Sequence, residues 1–101
     1  MLFLDLSDGV VYIISEYVGE IGEKVTVIVR IKRVRYFEGM YGPMGIYQFE
    51  DKSGNVIVWM TDPNRDFEED TAYELTGTVK DHSEFRGVKQ TKLTRCKVKE
   101  A

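Results

Sequence analysis

Residues 24–36 alternate between apolar and polar side chains and so predict a β-strand. From Val25 to Ile31 every second residue is valine or isoleucine, which is the period of a strand with one buried face. The alternation then shifts by one residue, because the next apolar residues are Val34 and Tyr36. A shift inside one strand predicts a β-bulge near Lys32–Arg33, and a bulge bends a strand as a small closed sheet requires.

Four further segments have the composition of strands: IYQFED (46–51), NVIVWMT (55–61), TAYELTGTVKDH (71–82) and TKLTRCKVK (91–99). The intervening glycine-containing stretches predict loops at 37–45 and 83–90 and a tight hairpin turn at Lys52-Ser53-Gly54. Residues 62–70 predict a loop or a single helical turn. Five strands with one longer connection between the third and the fourth favour an all-β, five-stranded OB-fold barrel over a β-sandwich.

Residues 1–22 fit two interpretations. Asp8-Gly9 lies between two apolar runs, which is typical of a hairpin over 2–14. The same region places Val11, Ile14, Val18 and Ile21 at helical spacing. We expect the hairpin, followed by one or two helical turns near 15–20. Residues 1–22 are therefore predicted to form an extension that packs on the barrel, and residues 23–101 to form the OB-fold domain.

Length and composition indicate a single globular domain. The chain has 101 residues, of which 43% are hydrophobic and 31% charged, ordinary values for a globular protein. No apolar run reaches the roughly 20 residues that cross a bilayer, and Met1–Leu6 lacks the basic region of a secretory signal. A single cysteine, Cys96, suits a reducing compartment. We expect a cytoplasmic protein with no membrane partner.

The net charge of −3 conceals an uneven distribution. Residues 1–23 contain five acids and no base, whereas residues 24–36 contain five bases and no acid. Residues 62–70 contain five acids and one arginine, and residues 71–101 contain seven bases and four acids. Because a polyanion responds to the local field of a basic surface, the two basic segments are compatible with nucleic-acid binding.

Three stretches, YVGEIGEKV (17–25), FEDKSGNVIVW (49–59) and GTVKDHSEFRGVKQTKLTRC (77–96), carry a resemblance to a known group. They resemble bacteriophage OB-fold proteins of the single-stranded-DNA-binding kind. The third stretch is the most specific, because it runs without a gap. The resemblance covers residues 17–99, and it implies binding of single-stranded DNA in phage replication, recombination or repair, within the host cytoplasm.

OB barrels bind oligonucleotides across their second and third strands, between the loop joining strands one and two and the loop joining strands four and five. In this chain those strands are 46–51 and 55–61, and those loops are 37–45 and 83–90. Aromatic side chains stack on bases, while lysine and arginine contact phosphates. The predicted nucleic-acid-binding residues are therefore Phe37, Tyr41, Trp59, Phe85, Arg30, Lys32, Arg33, Arg35, Lys80, Arg86, Lys89, Lys92 and Arg95.

The third predicted strand is apolar on both faces, so its pattern leaves two orientations open. We expect Val56 and Val58 in the core and Trp59 on the binding surface as a base-stacking side chain. If Trp59 fills the barrel instead, the groove is lined by Ile46, Gln48, Val56 and Val58. The bases of 24–36 also have an alternative role, as a solvated strand face or as partners of the acids of 62–70.

Catalytic and metal-binding motifs have little support. His82 and Cys96 are the only histidine and cysteine, too few for a zinc site. Asp81-His82-Ser83 are sequence neighbours, whereas a catalytic triad requires convergence in space. Walker and Rossmann motifs are lacking. We expect no enzymatic activity, no metal and no cofactor.

The expected partner is single-stranded DNA, with RNA as an alternative for the same groove. A second alternative is a protein-interaction OB domain in a larger assembly or a homo-oligomer, in which acidic partners satisfy the basic strand. Solvent-facing Trp59 and Phe85 beside a basic groove would favour nucleic acid. An uncharged apolar patch would favour a protein partner.

Overall fold

The structure, a computed structural model, describes residues 2–5 and 10–101, with side chains from Ile14 onward. The described residues form strands and no helix, so the predicted all-β class is confirmed. None of them forms a helix long and apolar enough to span a membrane. The strands are β1 (Leu2–Asp5), β2 (Val10–Ile13), β3 (Lys24–Gly39), β4 (Gly42–Asp51), β5 (Val56–Thr61), β6 (Tyr73–Phe85) and β7 (Val88–Glu100).

Strands β3 to β7 form one sheet with the hydrogen-bonded order β3-β4-β5-β7-β6. Because β6 also pairs with β3, every strand of this sheet has two neighbours over part of its length, and the order closes on itself. The pair β5–β7 is parallel, and the other four pairs are antiparallel. The prediction of five strands over residues 24–99 is confirmed.

Strand β3 is long and bulged, as its broken alternation predicts. Ile31 pairs with Phe49 and Arg33 pairs with Gln48, so Lys32 is the extra residue of the bulge. Before the bulge, residues 24–29 pair with β6, whereas residues 29–39 pair with β4. The bulge at Lys32–Arg33 is therefore confirmed, and β3 contributes to two parts of the closed sheet.

The interior of the closed sheet is filled by side chains at alternating strand positions. Tyr47 and Phe49 of β4, Ile57 of β5 and Leu75 of β6 are completely buried. Tyr73 and Val79 also belong to this core and share the interior side of β6 with Leu75. Alternation places every second side chain inside because successive Cβ atoms of a strand point to opposite faces.

The β5–β6 connection contributes one aromatic side chain to this core. Phe67 packs edge-on against Tyr47, Phe49 and Tyr73, with ring centroids 5.1–5.4 Å apart. The Tyr47 hydroxyl donates to the carbonyl of Asp62 and accepts from the backbone N–H of Arg65. These contacts hold residues 62–67 over one end of the core, and the connection is a loop without a helical turn.

The N-terminal hairpin prediction is confirmed, since β1 and β2 pair antiparallel from Leu2↔Ile13 to Asp5↔Val10. Its Asp8-Gly9 turn lies outside the described residues. The predicted helical turns at 15–20 are wrong, because this segment satisfies its polar groups through the sheet instead. The Ser15 hydroxyl donates to the Lys89 carbonyl (2.7 Å) and accepts from the Val56 N–H (2.8 Å), and the Val18 N–H donates to Thr91 Oγ1.

Both glycine-containing segments predicted as loops are mostly strand, so those two predictions are wrong. Strand β3 continues to Gly39 and β4 begins at Gly42, which leaves Met40–Tyr41 as the turn. Likewise, β6 and β7 continue until only Arg86–Gly87 separates them. Cross-strand pairing extends both hairpins through residues of poor strand propensity, because the register is unbroken from Arg33 to Gly39 and from Asp81 to Phe85.

Candidate functional site

Trp59 lies inside the closed sheet, and the prediction that it faces the binding surface is wrong. Its side chain is 4% exposed, its ring centroid is 6.4 Å from that of Tyr47, and the Arg65 guanidinium carbon lies 4.8 Å from the ring centroid. Ile57 shares this interior side of β5. The ring therefore belongs to the core and is closed to a nucleic-acid base.

The outward side of β4 and β5 is a continuous apolar surface, which we call the β4–β5 face. Its residues are Met44, Ile46, Gln48, Val58 and Met60. They alternate with the buried side chains of the two strands, and the register places Ile46 opposite Met60 and Gln48 opposite Val58. Met60 is 49% exposed, whereas Val58 is buried at the base of the surface. The alternative orientation of Trp59 predicts Ile46, Gln48 and Val58 of this surface correctly, whereas Val56, its fourth residue, is buried and donates its N–H to Ser15.

Basic side chains flank the β4–β5 face on both sides. On β3, Arg33 pairs with Gln48 and Arg35 pairs with Ile46, so both arginines share the outward side of β4. On β7, Lys92 pairs with Val58 of β5. The bulge at Lys32 places Arg33 and Arg35 on the outward side of the sheet, because without it they would occupy the opposite side of the strand.

A concavity of about 380 Å³ lies on the side of the β4–β5 face nearest β6 and β7. Its apolar lining includes Met44, Val58 and Met60, and its polar lining includes Lys80, Asp81 and Lys92. The only hydrogen bond of the Asp81 side chain within the described chain comes from the His82 N–H, 2.9 Å from Oδ1. The concavity therefore combines carbon surface, two cations and an available carboxylate.

The predicted aromatic residues outside the core lie in the two hairpins. Phe37 pairs with Met44 in the β3–β4 hairpin and is partly exposed. Phe85 is 49% exposed at the end of β6, and the Arg86 guanidinium carbon lies 5.1 Å from its ring centroid. Tyr41, at the tip of the β3–β4 hairpin, is 97% exposed. Phe37 thus offers ring surface beside Met44 of the β4–β5 face, whereas Phe85 offers ring surface at the tip of the β6–β7 hairpin.

Other predicted basic residues have different surroundings. Lys89 forms an ion pair with Glu16 (3.3 Å) and lies over the Tyr17 ring. Arg30 and Lys32 line a separate concavity with two acids of the β5–β6 connection, Glu69 and Asp70. The alternative role of these two bases, beside the acids of 62–70, therefore has structural support.

Arg95 lies at an irregularity of β7, where the pairing with β6 shifts between Thr94 and Lys97. Its φ is +54°, a value that a non-glycine residue adopts where a bulge requires it. Arg95 is exposed and is not part of the lining of the 380 Å³ concavity. Of the predicted basic residues, the structure assembles Arg33, Arg35, Lys80 and Lys92 around one surface.

Sequence reasoning missed Met44, Met60 and Asp81 as surface residues of this site. The two methionines follow from alternation once Trp59 is known to be buried. The sequence singles out Asp81 only as part of the Asp81-His82-Ser83 run, because the β6 irregularity that brings it to the concavity leaves no mark on the hydrophobic pattern.

Cys96 is packed against Gly77, where an added Cβ would lie 2.6 Å from its sulfur. Burial raises the pKa of the Cys96 thiol from 9.0 to about 12. The thiolate is the reactive form of cysteine, so Cys96 is protonated and unreactive at neutral pH.

The raised pKa of Cys96 predicts a loss of stability in alkali. The pKa of the thiol is higher in the folded than in the unfolded protein. Its contribution to the free energy of unfolding is therefore complete below about pH 9 and is lost as the pH rises towards 12. Urea unfolding between pH 8 and 11 should show a steeper fall in unfolding free energy for the wild type than for Cys96→Ala. Equal slopes would contradict the buried thiol.

Within the described part of the chain, no group of three or more His, Cys, Asp or Glu side chains is placed to hold a metal ion. Neither the protein-family models nor the curated proteins nor the solved structures compared with this chain gave a match.

Proposed function

We propose that the chain is an OB-fold domain that binds single-stranded DNA and catalyses no reaction. The strand connectivity supports the fold: taken as strands one to five, β3 to β7 have the order 1-2-3-5-4, with strand four returning to strand one and with strands three and five parallel. OB folds are five-stranded Greek-key barrels that bind oligonucleotides on strands two and three. The β4–β5 face occupies those two strands.

The observation that carries the function is an apolar strip between two sets of cations. Ile46 and Met60 offer carbon surface to unstacked bases above the buried Val58, and Arg33 and Arg35 lie on one side of them. Lys92 and Lys80 lie on the other side. A single strand presents base faces and phosphates together, whereas a duplex hides its base faces. The arrangement therefore favours the single strand over the duplex.

The exposed rings of Phe37 and Phe85 support the same partner. Stacking of a base on an aromatic side chain contributes about 1–3 kcal/mol and tolerates any base. Phe37 lies in the β3–β4 hairpin and Phe85 lies in the β6–β7 hairpin. OB folds hold their ligands between these two connections. A role in coating or guiding single-stranded DNA in phage replication, recombination or repair is consistent with these features.

Anisotropy titration of a fluorescently labelled oligonucleotide tests this function. Single-stranded DNA should bind more tightly than a duplex of the same sequence. With four phosphate contacts from Arg33, Arg35, Lys80 and Lys92, the logarithm of the binding constant should fall with the logarithm of salt concentration at a slope of about −3. Affinity that is independent of salt, or equal for duplex, would refute the proposal. Intrinsic fluorescence is a poor reporter because Trp59 is buried.

The same titration with RNA of equal sequence compares the two nucleic acids. Tighter binding of RNA than of DNA would identify RNA as the ligand of this groove, and the same protein residues would form the binding surface.

A protein partner is the second candidate function, and the tip of the β3–β4 hairpin favours it. Met40 and Tyr41 are 90% and 97% exposed, and neighbouring Tyr36 is also exposed. These side chains are uncharged and large, the composition of many protein contacts. Absence of DNA binding, together with self-association that Met40→Ser weakens in sedimentation velocity, would favour this function over the first.

A further inference from the structure

Two consecutive residues of the same strand line the 380 Å³ concavity. Lys80 and Asp81 both line it, although neighbours on a regular strand point to opposite faces. The pairing of β6 with β7 shifts between Val79, opposite Leu93, and Asp81, opposite Lys92. Irregularities of this kind redirect side chains and are frequent at binding sites. Here the irregularity adds a carboxylate to a surface whose other charges are positive.

The Asp81 carboxylate is free to accept hydrogen bonds from a ligand. Oδ1 accepts one bond, from the His82 N–H. Within the described residues, Asp81 forms no ion pair, although Lys80 and Lys92 line the same concavity. An ionised carboxylate accepts through two oxygens and donates through none. It repels phosphates, so on a phosphate-binding surface its attractive partners are the N–H groups of a base.

We propose that this concavity holds a guanine base of the bound strand, with the guanine N1–H and N2–H groups donating to the Asp81 carboxylate; the inference rests on the proposed single-stranded-DNA function. Unpaired bases are read through their Watson–Crick edges. Guanine presents two adjacent donors on that edge, which match the two oxygens of a carboxylate. Adenine and cytosine each place an acceptor beside their amino group, and thymine flanks its single N–H with carbonyls.

The other lining residues suit a base with its attached phosphates. Met44 and Met60 provide apolar contact for the ring faces above the buried Val58, and Lys80 and Lys92 add two cations to the lining. Thioether side chains are flexible and polarisable, so they adapt to a flat ring. The volume of about 380 Å³ falls within the range of about 300–1,000 Å³ of small-molecule sites.

Single-base substitution in a labelled oligothymidylate tests the assignment. A strand of about 12 nucleotides suits the site sizes of OB folds, roughly 4–16 nucleotides. Replacing one central thymidine by deoxyguanosine should tighten binding about tenfold, the discrimination that one bidentate carboxylate–base pair provides. Deoxyadenosine and deoxycytidine should give smaller gains. Deoxyinosine, which lacks the 2-amino group, should lose most of the gain.

Two matched variants identify the group responsible. Asp81→Asn removes one acceptor and should reduce the preference for guanine to within about twofold, while binding of the all-thymidine strand is retained. Glu84→Gln makes the same change of charge at a position paired with Lys89, outside the concavity lining, and should keep the full preference. Circular dichroism of both variants establishes that they are folded.

Three results would overturn the inference. If all strands bind the wild type equally, the guanine site is refuted while the single-stranded-DNA function stands. If Asp81→Asn tightens binding of every strand alike, Asp81 acts only by repelling phosphate. If the wild type binds neither thymidine strands nor guanine-containing strands, the proposed function itself fails and the guanine site fails with it.

Discussion

Replacing Trp59 with alanine is expected to lower the free energy of unfolding by about 3–5 kcal/mol. The ring is almost completely buried and packs beside Tyr47 under the Arg65 side chain, so truncation leaves a cavity that the closed sheet cannot fill. In a domain of this size, 1 kcal/mol shifts the melting temperature by roughly 4–8 °C. Thermal and urea unfolding of Trp59→Ala should therefore show a loss well above 10 °C.

The adjacent residue provides the matched control for this prediction. Met60 follows Trp59 on β5, points to the β4–β5 face and is half exposed. Met60→Ala should change stability by less than about 1 kcal/mol and should weaken the binding of single-stranded DNA. The reverse outcome, with Trp59→Ala stable but deficient in binding, would contradict the interior position of Trp59.

Neutralising the two arginines of the β3 side is expected to weaken single-stranded-DNA binding about thirtyfold at low salt. Each contact between an arginine and a phosphate at about 4 Å contributes roughly 1 kcal/mol in water, and about 1.4 kcal/mol corresponds to tenfold in affinity. The variant is Arg33→Gln/Arg35→Gln. Loss of two contacts should also make the salt slope less negative by about 1.4, which anisotropy titrations at several salt concentrations measure.

A second double variant distinguishes the loss of two arginine–phosphate contacts from a general loss of positive charge. Lys97 and Lys99 lie on β7 opposite Thr76 and Glu74 of β6, on a part of β7 that pairs with neither β4 nor β5. Lys97→Gln/Lys99→Gln removes the same two positive charges and should change the slope little. Equal losses in both double variants would show that the protein binds through its general charge, and the β4–β5 face would lose its assignment.

The sequence alone determined the strands and most of the interior. Alternation is a local property, so the run from Val25 to Ile31 and its shift before Val34 predict both the strand and the bulge at Lys32. The interior positions of Tyr47 and Phe49 follow for the same reason, since polar Gln48 and Glu50 lie between them. Local patterning was sufficient wherever one face of a strand is polar.

The tertiary structure decided the features for which the local pattern of apolar and polar residues allows two alternatives. Both sides of β5 are apolar, and Trp59 is inside because the strand pairing places it between Tyr47 and Leu93, two buried residues. Pairing between strands likewise extends β-structure through 37–45 and 83–90, which the sequence predicts as loops. The backbone hydrogen bonds of a ladder compensate for the low strand propensity of glycine in these segments.

The tertiary structure also decided which residues form the candidate site. Arg33 and Lys92 are 59 positions apart in the sequence, yet each aligns with one of two paired residues, Gln48 and Val58. Asp81 joins them through an irregularity in the β6–β7 pairing. A sequence pattern records which side chains share a face of one strand, whereas a binding surface depends on register between strands, and register is set by hydrogen bonds and packing across the whole sheet.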